Sequence, residues 1–190
     1  MNIFWLHPSP KTNAAWYNDQ HCVKIILEIT QVLFTALHTH NEPDWQSKLS
    51  QIYRPTHKGH PITLWVTEHP ENFKKALLFA KILCTEFTKR RNKYHKCERL
   101  LHEMLEVVPT TPMAVEWKPT TVRAQAFRNC TPVPLCMDVS YHVTYQGKPH
   151  LFDSYIRYYT DKKLKFESGR LATWSHGVPR IFQSAYSQLL

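Results

Sequence analysis

Glycine is scarce in this chain, and glycine-rich loops of the kind that hold phosphate groups are missing. Only 4 glycines stand against 13 prolines in 190 residues, which predicts well-defined elements joined by proline-marked turns. The GxSxG elbow and the Cys–His signature of nucleophilic hydrolases are also missing, as are internal repeats and low-complexity tracts. The pattern therefore gives no support for a P-loop or serine-elbow enzyme.

The cysteines and the apolar runs exclude further classes. Five cysteines, an odd number, fit neither a zinc-ligand spacing nor a disulfide framework. The opening MNIFWLHPSP lacks the basic start and the long apolar core of a cleavable signal. The longest apolar stretch, residues 22–37, is interrupted by Lys24, Glu28 and Gln31, so we expect it not to span a membrane. We expect a reducing, cytoplasmic compartment and no membrane partner.

The chain is rich in positively charged and aromatic side chains. Lysine and arginine outnumber acidic residues 24 to 15, giving a formal charge of +9, and 12 histidines can add charge at lower pH. This balance favours a polyanionic partner, most often nucleic acid or a nucleotide. The alternative is a soluble basic protein without such a partner. An apolar fraction of 43% is ample for a core, and 190 residues suit one compact domain.

Hydrophobic periodicity predicts an all-α, mainly helical domain spanning residues 1–190. Prolines in first turns and apolar residues three and four apart set the helix positions. The predicted helices cover about 14–39 with Asn13 as cap, a stretch from Pro61 that pauses and resumes at Pro70 to about Arg91, then 93–108 and 150–166. A weak alternation predicts a short β-hairpin near 137–147, and the tail 170–182 is predicted to be an irregular packed end.

The first long predicted helix carries a narrow line of polar side chains, which we call the polar stripe. Its members recur at steps of three and four residues, which places them on one line of a helix: His21, Lys24, Glu28, Gln31, Thr35 and His38. Apolar residues from Val23 to Leu37 surround it, so we expect protein to cover most of this helix. The polar stripe is either the one side left in water, with Lys24 and Glu28 as an ordinary pair, or the floor of a cleft.

In a cleft, Glu28 is a candidate for proton transfer or charge stabilisation. Apolar walls would raise its pKa, whereas Lys24 one turn away would lower it, and the sequence leaves the outcome open. A metal site is disfavoured because His21 and Glu28 lie about 10.5 Å apart along a helix, too far to share one ion. His57 and His60 in HKGH give a second pair at an unknown distance. We expect neither a metal nor a cofactor.

Several short motifs resemble those of the pyrimidine-dimer DNA glycosylases, also called endonuclease V. DQH at Asp19–His21 is followed seven residues later by Glu28, Gly59–His60 introduces a helix with a basic end, and Tyr158, Tyr159 and Trp174 give an aromatic tail. Nearly the whole chain, except around 109–149, is also similar to small phage and bacterial proteins. Those share the MNI…LH start, the Asp-x-His–Lys–Leu-Glu helix and the H-K-x-H-P turn.

The resemblance implies a compact all-α fold that binds DNA, in preference to RNA, and flips a nucleotide out of the stack. In that family an α-amino group attacks the sugar C1′ carbon and forms a Schiff base, while a glutamate stabilises the charged intermediate. Carried over, Glu28, His21 and His60 would be the catalytic residues. The residues expected to contact the substrate are Asp19, Lys24, Gln31, Arg54, His57, Lys58, Tyr158 and Trp174.

Two differences from that family shift the expected chemistry. Asn2 is a poor context for removal of Met1, so the free amine would belong to Met1, and Glu28 is flanked by Leu27 and Ile29 where the family has arginines. We therefore expect a related act on a base or nucleotide rather than strict dimer excision. The alternatives are a DNA- or nucleotide-binding module without chemistry, and a transferase or hydrolase on free nucleotides in a phage base-modification or counter-defence pathway.

Two further groups of residues have an ordinary interpretation beside a functional one. The basic run Lys89–Arg91 with Lys93 and Lys96 suits contacts with phosphate, but cations at a helix end are also favoured by the helix dipole. The three tyrosines within residues 155–159 suit stacking on unpaired bases, but such a group is also common in a packed core. Both pairs of interpretations remain open from the sequence.

Overall fold

Seven α-helices form the frame of the computed structural model, which describes residues 2–40, 45–107 and 130–190. The helices are α1 Pro10–Trp16, α2 Asp19–His40, α3 Pro61–Glu68, α4 Pro70–Arg91, α5 Glu98–Val107, α6 Leu151–Lys162 and α7 Arg180–Ser187. The other elements described are the antiparallel strands β1 Thr144–Tyr145 and β2 Lys148–Pro149 and the 3-10 turns Gln46–Lys48 and Val139–Tyr141. The mainly helical fold class is confirmed.

The first predicted helix is in fact two helices with a sharp break between them. Ser9 caps α1 ahead of Pro10, and the chain leaves α1 at Tyr17 with an extended backbone, φ −64° and ψ 138°. Asn18 then caps α2, because its Oδ1 accepts the backbone N–H of His21 at 2.8 Å. The cap that organises the long helix is therefore Asn18.

Asn13, the cap expected from the sequence, lies inside α1. Its Oδ1 accepts the backbone N–H of Leu6 at 2.7 Å and so ties α1 to the N-terminal segment. The break after α1 is fixed by a distant side chain, since the guanidinium of Arg90 donates to three carbonyl oxygens at the end of α1. A continuous helix would use those carbonyls internally. The prediction of one helix over 14–39 is therefore wrong.

Histidine–proline pairs start both α3 and α4. His60 precedes Pro61 and His69 precedes Pro70, and each histidine Nδ1 accepts the backbone N–H two residues later, at 3.2 and 3.1 Å. Asn92 ends α4 in the left-handed conformation, φ 50°, with its N–H donating to the carbonyl four residues back. These bounds confirm the predicted helix that pauses between Pro61 and Arg91. The helix predicted over 93–108 is shorter at its start, because α5 begins at Glu98.

The buried hydrophobic side chains form one cluster around α2 and α4. α2 packs against α3 and α4, and α4 also contacts α1 and α5. The extended segment before α1 belongs to this core, since Ile3, Phe4, Trp5 and Leu6 are at most 4% exposed. The Tyr17 hydroxyl accepts the N–H of Phe4 at 2.7 Å and donates to its carbonyl at 2.8 Å. With about 1.5–3 kcal/mol favouring burial of each large side chain, the segment is a fixed part of the core.

Protein covers most of α2, as expected, but one face is open near its start. Val23 and Leu27 are 37% and 38% exposed, and Lys24 and Glu28 lie beside them on the same face. By length and composition alone α2 could cross a membrane, and 61% of its most apolar 18-residue window is buried inside the protein. The open face is therefore limited to the region from Val23 to Glu28, and residues 29–37 lie mostly in the core.

The hairpin forms where the turn chemistry is strongest. Gln146 and Gly147 both have positive φ, 51° and 74°, as a tight two-residue hairpin turn requires. The strands reach Pro149 on one side, whereas Val139–Tyr141 forms a 3-10 turn rather than strand. The hairpin is therefore confirmed, but it is shorter and lies later than the predicted 137–147.

The helix predicted over 150–166 forms as α6, and the tail after it contains a helix that was not predicted. α6 ends at Lys162, four residues before the predicted end. Beyond an irregular stretch, α7 starts after Pro179 and buries Phe182 completely against the core. Of the poorly patterned region 109–149, only the part from residue 130 lies within the described residues.

Candidate active site

Glu28 lies on the open face of α2 with both carboxylate oxygens engaged. Its side chain is 14% exposed. Oε2 accepts the backbone N–H of Asn2 at 3.3 Å, and Oε1 lies 3.5 Å from Nζ of Lys24. Lys24 itself is 67% exposed. The carboxylate is thus fixed in direction and largely withdrawn from water, yet it borders an open surface, which suits stabilisation of a positive charge on a bound molecule.

Asn2 holds the start of the described chain against Glu28. It is 8% exposed, its Nδ2 donates to the carbonyl of Cys136 at 3.0 Å, and its Oδ1 accepts the hydroxyl of Tyr155 at 3.1 Å. Three hydrogen bonds therefore fix residue 2 between α2, α6 and the segment around Cys136. Met1, to which the sequence assigns the free amine, lies outside the described residues.

The first turn of α3 lies next to Cys136. Burial raises the pKa of the Cys136 thiol to about 11, and the backbone N–H of Ile62 opposes this rise. The same N–H donates to Nδ1 of His60 at 3.2 Å. Successive contacts thus lead from Glu28 through Asn2 and Cys136 to the start of α3. His60 uses Nδ1 to cap that helix, and the Cys136 thiol is protonated at neutral pH.

His21 is buried in an aromatic setting rather than exposed in a cleft. The ring lies 5.0 Å from Phe4 and 6.3 Å from Phe166, centroid to centroid. Its Nδ1 is 2.8 Å from the Tyr159 hydroxyl, which also accepts the backbone N–H of Asn18 at 2.9 Å. Since that hydroxyl accepts from Asn18, full use of its proton requires donation to Nδ1. The imidazole then carries its own proton on Nε2.

The surroundings of His21 keep its imidazole neutral. Burial, together with the positive charges of Lys163 and Lys24, lowers the pKa of His21 to about 3. An imidazole with such a pKa exchanges no proton at neutral pH. Its Nε2–H can donate a hydrogen bond, which is a different role from the acid–base function that the resemblance implies for this residue.

The second half of the polar stripe fastens a loop to α2. Thr35 Oγ1 donates to the carbonyl of Thr56 and accepts its N–H, both at 3.0 Å, and His38 Nε2 is 3.0 Å from the carbonyl of Tyr53. Gln31 is half-buried, one turn beyond Glu28. The polar stripe therefore has three parts. His21 at its start is buried, Lys24 and Glu28 at its centre border the open surface, and Thr35 and His38 at its end hold the loop against α2.

The loop side chains expected to bind substrate face solvent. Arg54, His57 and Lys58 are all exposed, and no hydrogen bond or ion pair recorded for the described residues joins them to Glu28. His57 has φ 50°, and its Nδ1 is 2.7 Å from the hydroxyl of Thr56. The loop is fastened to α2, but the structure does not bring these three side chains to the carboxylate.

Asp19 lies in an internal network rather than in a binding cleft. It is 6% exposed and pairs with Arg90 at 3.2 Å. Ser175 donates both its N–H and its hydroxyl to Oδ1, and Thr173 donates its hydroxyl to Oδ2, each at 3.1 Å. Burial alone would raise the pKa of Asp19, but these bonds and the Arg90 charge together lower it. The carboxylate is saturated by the protein, which assigns it a structural role.

Trp174 is likewise part of the packing between the tail and α1. It is 8% exposed, and its Nε1 donates to the carbonyl of Trp16 at 3.1 Å. Its ring stacks on Phe182 and meets Tyr186 edge-on, with centroids 6.2 and 5.6 Å apart. Both aromatic partners come from α7, so the side chain expected to contact substrate anchors that helix instead.

Tyr158 lines a cavity of about 850 Å³ at the end of α6. Its ring stacks on Phe4 at 6.2 Å, and Nζ of Lys163 lies 5.2 Å from its centroid. The wall combines aromatic rings and ammonium groups, namely those of Tyr141, Tyr158, Phe166, Lys162, Lys163 and Lys165. Such a wall suits an aromatic ligand that carries negative charge, and the volume lies within the usual range of small-molecule pockets.

The cavity also contains carboxylates, most of which are engaged by the protein. Asp161 accepts the hydroxyl of Tyr141 and pairs with Lys162 at 3.1 Å, while Asp138 caps the following 3-10 turn. Phe166 joins the cavity to His21, which lies about 10 Å along α2 from Glu28. The cavity is thus linked to the carboxylate indirectly, through Phe166 and His21.

The comparisons with known proteins add no assignment. No family model matches the chain, and neither the search of curated proteins nor that of solved structures found a match. Among residues 2–40, 45–107 and 130–190, no group of three or more His, Cys, Asp or Glu side chains is placed to hold a metal ion. The site is therefore defined by its own geometry and by the motifs quoted above.

Three residues of this region escape prediction from the sequence. Asn2 reaches Glu28 across 26 positions, Tyr159 reaches His21 across 138, and Arg90 reaches Asp19 across 71. No periodicity connects such distant positions. The sequence did single out Tyr159 as one of the three tyrosines within 155–159. It did not indicate that the Tyr159 hydroxyl would be hydrogen-bonded to His21.

Proposed function

We propose that this protein is an enzyme acting on nucleic-acid bases or nucleotides, with glycosylase- or lyase-like chemistry centred on Glu28. The observation that carries the proposal is the hydrogen bond from the backbone N–H of Asn2 to Oε2 of Glu28 at 3.3 Å. The resemblance implies an amine at the start of the chain and a glutamate on the first long helix. This contact joins those two regions.

The proposed chemistry uses the position of the carboxylate. An amine nitrogen bonds to C1′ of the sugar, the glycosidic C–N bond breaks, and the base leaves with the bonding electrons and takes up a proton. Opening of the sugar ring then gives a positively charged Schiff base. Glu28, oriented by Asn2 and Lys24 and 14% exposed, stabilises that charge more effectively than a fully hydrated carboxylate would.

The cavity beside α6 supplies room for the base or nucleotide. Its aromatic rings and lysine ammonium groups suit a flat ring attached to a phosphate. His21 contributes as a neutral, buried group that packs against Phe166 of the cavity wall. The proposal therefore assigns charge stabilisation to Glu28 and substrate contact to Tyr158 and Lys163.

Replacing Glu28 by Gln tests the proposal. The amide keeps the shape but loses the charge, so we expect turnover on abasic or damaged DNA to fall about 100-fold or more, with folding and DNA binding unchanged. Borohydride reduction during the reaction should trap a covalent adduct with the wild-type protein. Peptide mapping should place this adduct at the free α-amino group, which the sequence assigns to Met1.

A matched control is Glu106→Gln, the same change at an exposed carboxylate on α5. It should leave turnover and trapping at wild-type levels. Full activity in Glu28→Gln would remove the proposal, as would the failure of the wild-type protein to turn over any DNA or nucleotide substrate.

A second candidate is a DNA- or nucleotide-binding protein without chemistry. The observation in its favour is that both oxygens of Glu28 and the Nδ1 atoms of His21 and His60 already have partners within the protein. This candidate predicts binding that depends on salt and no covalent adduct. Mass spectrometry of small molecules released from the purified protein would separate a free-nucleotide ligand from a nucleic-acid one.

A further inference from the structure

The end of α4 and the turn after it form a strongly basic surface, which we call the basic turn. Its cations are Lys89, Arg91, Lys93 and Lys96, and all four are exposed. No acidic residue occurs between positions 87 and 97, and within the described part of the chain none of the four cations forms an ion pair. Four like charges on one short turn repel each other unless an anionic partner compensates them.

Arg90 lies within this basic run but is not part of the exposed surface. Its side chain is 3% exposed and is occupied by Asp19, Glu86 and the carbonyls at the end of α1. The nearest acid on α4, Glu86, is therefore held inward and does not neutralise the turn. The fold separates one internal arginine from four external cations.

The basic turn is held in a fixed shape. Asn92 adopts φ 50° and ends α4, and the ring of His95 packs edge-on against Phe87 at 5.1 Å. His95 also accepts the backbone N–H of Cys97 through Nδ1 and hydrogen-bonds the Val23 backbone on α2. The cations around it are thus presented from an ordered support, which lowers the entropy cost of binding.

Tyr94 projects from the middle of this surface. It is 79% exposed, and none of the ring contacts or hydrogen bonds recorded for the described residues involves it. An exposed aromatic ring among cations combines a stacking surface with phosphate contacts, the arrangement with which proteins hold unpaired nucleic-acid strands. A membrane anchor would instead need bulky apolar side chains, and the turn has none.

We propose that the basic turn binds a nucleic-acid strand, with phosphates on Lys89, Arg91, Lys93 and Lys96 and an unpaired base stacked on Tyr94. The contact of His95 with Val23 sets the turn beside the open face of α2 that carries Lys24 and Glu28. The strand therefore continues from the turn toward the carboxylate. This last step rests on the proposed function, whereas the binding surface itself does not.

The test compares two variants that each remove four positive charges. The first changes Lys89, Arg91, Lys93 and Lys96 to Gln, and the control changes the exposed Lys11, Lys148, Arg157 and Arg180 to Gln. Binding to a labelled single-stranded oligonucleotide is followed by fluorescence anisotropy across a salt series. Each lost phosphate contact reduces the magnitude of the slope of log K against log salt by about 0.7. We therefore expect this magnitude to be about 3 smaller for the first variant than for the wild type, and unchanged for the control.

Tyr94 is tested separately from the charges. Tyr94→Ala should weaken binding of the single strand by about five- to 150-fold without changing the salt slope, and Tyr94→Phe should bind as the wild type does. Equal slopes for the two charge variants would overturn the proposal. Binding to anionic phosphatidylserine vesicles that the first variant abolishes, while oligonucleotide binding persists, would also overturn it.

The two proposals fail in distinguishable ways. If Glu28→Gln keeps full turnover but the slopes differ as expected, the chemistry at Glu28 falls and the binding surface stands. If the slopes are equal and Glu28→Gln is inactive, the basic turn falls and the proposed function stands.

Discussion

His21 shows how the surroundings of one residue change the chemistry that its side chain offers. In the sequence it begins the polar stripe and resembles a catalytic histidine. In the structure it is 7% exposed, packs on Phe4 and Phe166, and is hydrogen-bonded to the Tyr159 hydroxyl. Burial in an aromatic pocket disfavours the charged imidazolium, so the ring serves as a neutral donor.

At this scale we predict the titration of His21. Nitrogen-15 NMR of the imidazole should show the Nε2–H tautomer and no protonation between pH 8 and pH 5, because burial lowers the pKa of His21 to about 3. Tyr159→Phe removes the proton donor to Nδ1 and should redistribute the two tautomers. A titration of His21 near its ordinary value of 6.5 would contradict the buried geometry.

Glu28 and Lys24 illustrate a second point at the residue scale. Their spacing predicts an ordinary pair on a wet surface, and the 3.5 Å contact and the 67% exposure of Lys24 agree with that interpretation. Alone, such a pair contributes little to stability. What distinguishes Glu28 from a surface glutamate is its second partner, Asn2, which belongs to the N-terminal segment.

At the scale of elements, the junction between α1 and α2 depends on Arg90. Its guanidinium donates to carbonyls at 2.7, 3.0 and 3.3 Å, to Asp19 at 3.2 Å and to Glu86 at 2.7 Å. One side chain from α4 thus ends α1 and positions the start of α2. Because α2 carries His21 and Glu28, this junction also sets where the site lies.

We predict that Arg90→Met destabilises the protein by about 3–5 kcal/mol, since it removes the positive partner of the buried Asp19 and the guanidinium donor to three carbonyls. Urea denaturation measures this loss. The control is Arg91→Met, the same change at an exposed neighbour, which should shift the free energy of unfolding by less than about 0.5 kcal/mol. Equal effects of the two substitutions would show that Arg90 does not hold the junction.

At the scale of the whole molecule, burial gives the protein a characteristic dependence on pH. His21, lowered from 6.5 to about 3, contributes stability that is present above pH 6.5 and is lost as the pH falls toward 3. Burial also lowers the pKa of Lys75, whose Nζ lies 4.7 Å from the Trp5 ring, from 10.5 to about 7. Stability therefore continues to rise above neutrality, because the folded protein has released the Lys75 proton there whereas the unfolded chain still holds it.

Buried thiols limit the rise of stability with pH. Burial raises the pKa of Cys22 from 9.0 to about 12, so its contribution is present below pH 9 and is lost at higher pH. We predict that the free energy of unfolding falls by about 2 kcal/mol between pH 7 and pH 5 from His21 alone, and that it is greatest near pH 9. Urea titrations at each pH measure the curve. A flat profile between pH 7 and pH 5 would contradict the neutral state of His21.

Local patterns in the chain are enough to predict most of the helices and the line of the polar stripe. Histidine–proline pairs at His60 and His69 start α3 and α4 by local hydrogen bonds, and Gln146–Gly147 forms a hairpin turn through its backbone conformation. These signals act within four residues of the chain, so they can be read without a fold. The position of Glu28 beside the exposed side chains of Val23 and Leu27 follows from the same helical spacing.

The roles of the polar and aromatic side chains depend instead on long-range contacts in the folded protein. It turned Arg90 inward and left its basic neighbours outside, made Asp19 and Trp174 parts of the packing, and placed Tyr158 on a cavity wall. It also broke the first helix at Tyr17 and brought Asn2 to Glu28. Each of these outcomes depends on atoms that meet across 20 or more positions, roughly beyond the reach of any local pattern, and burial at those meetings sets both partner and protonation state.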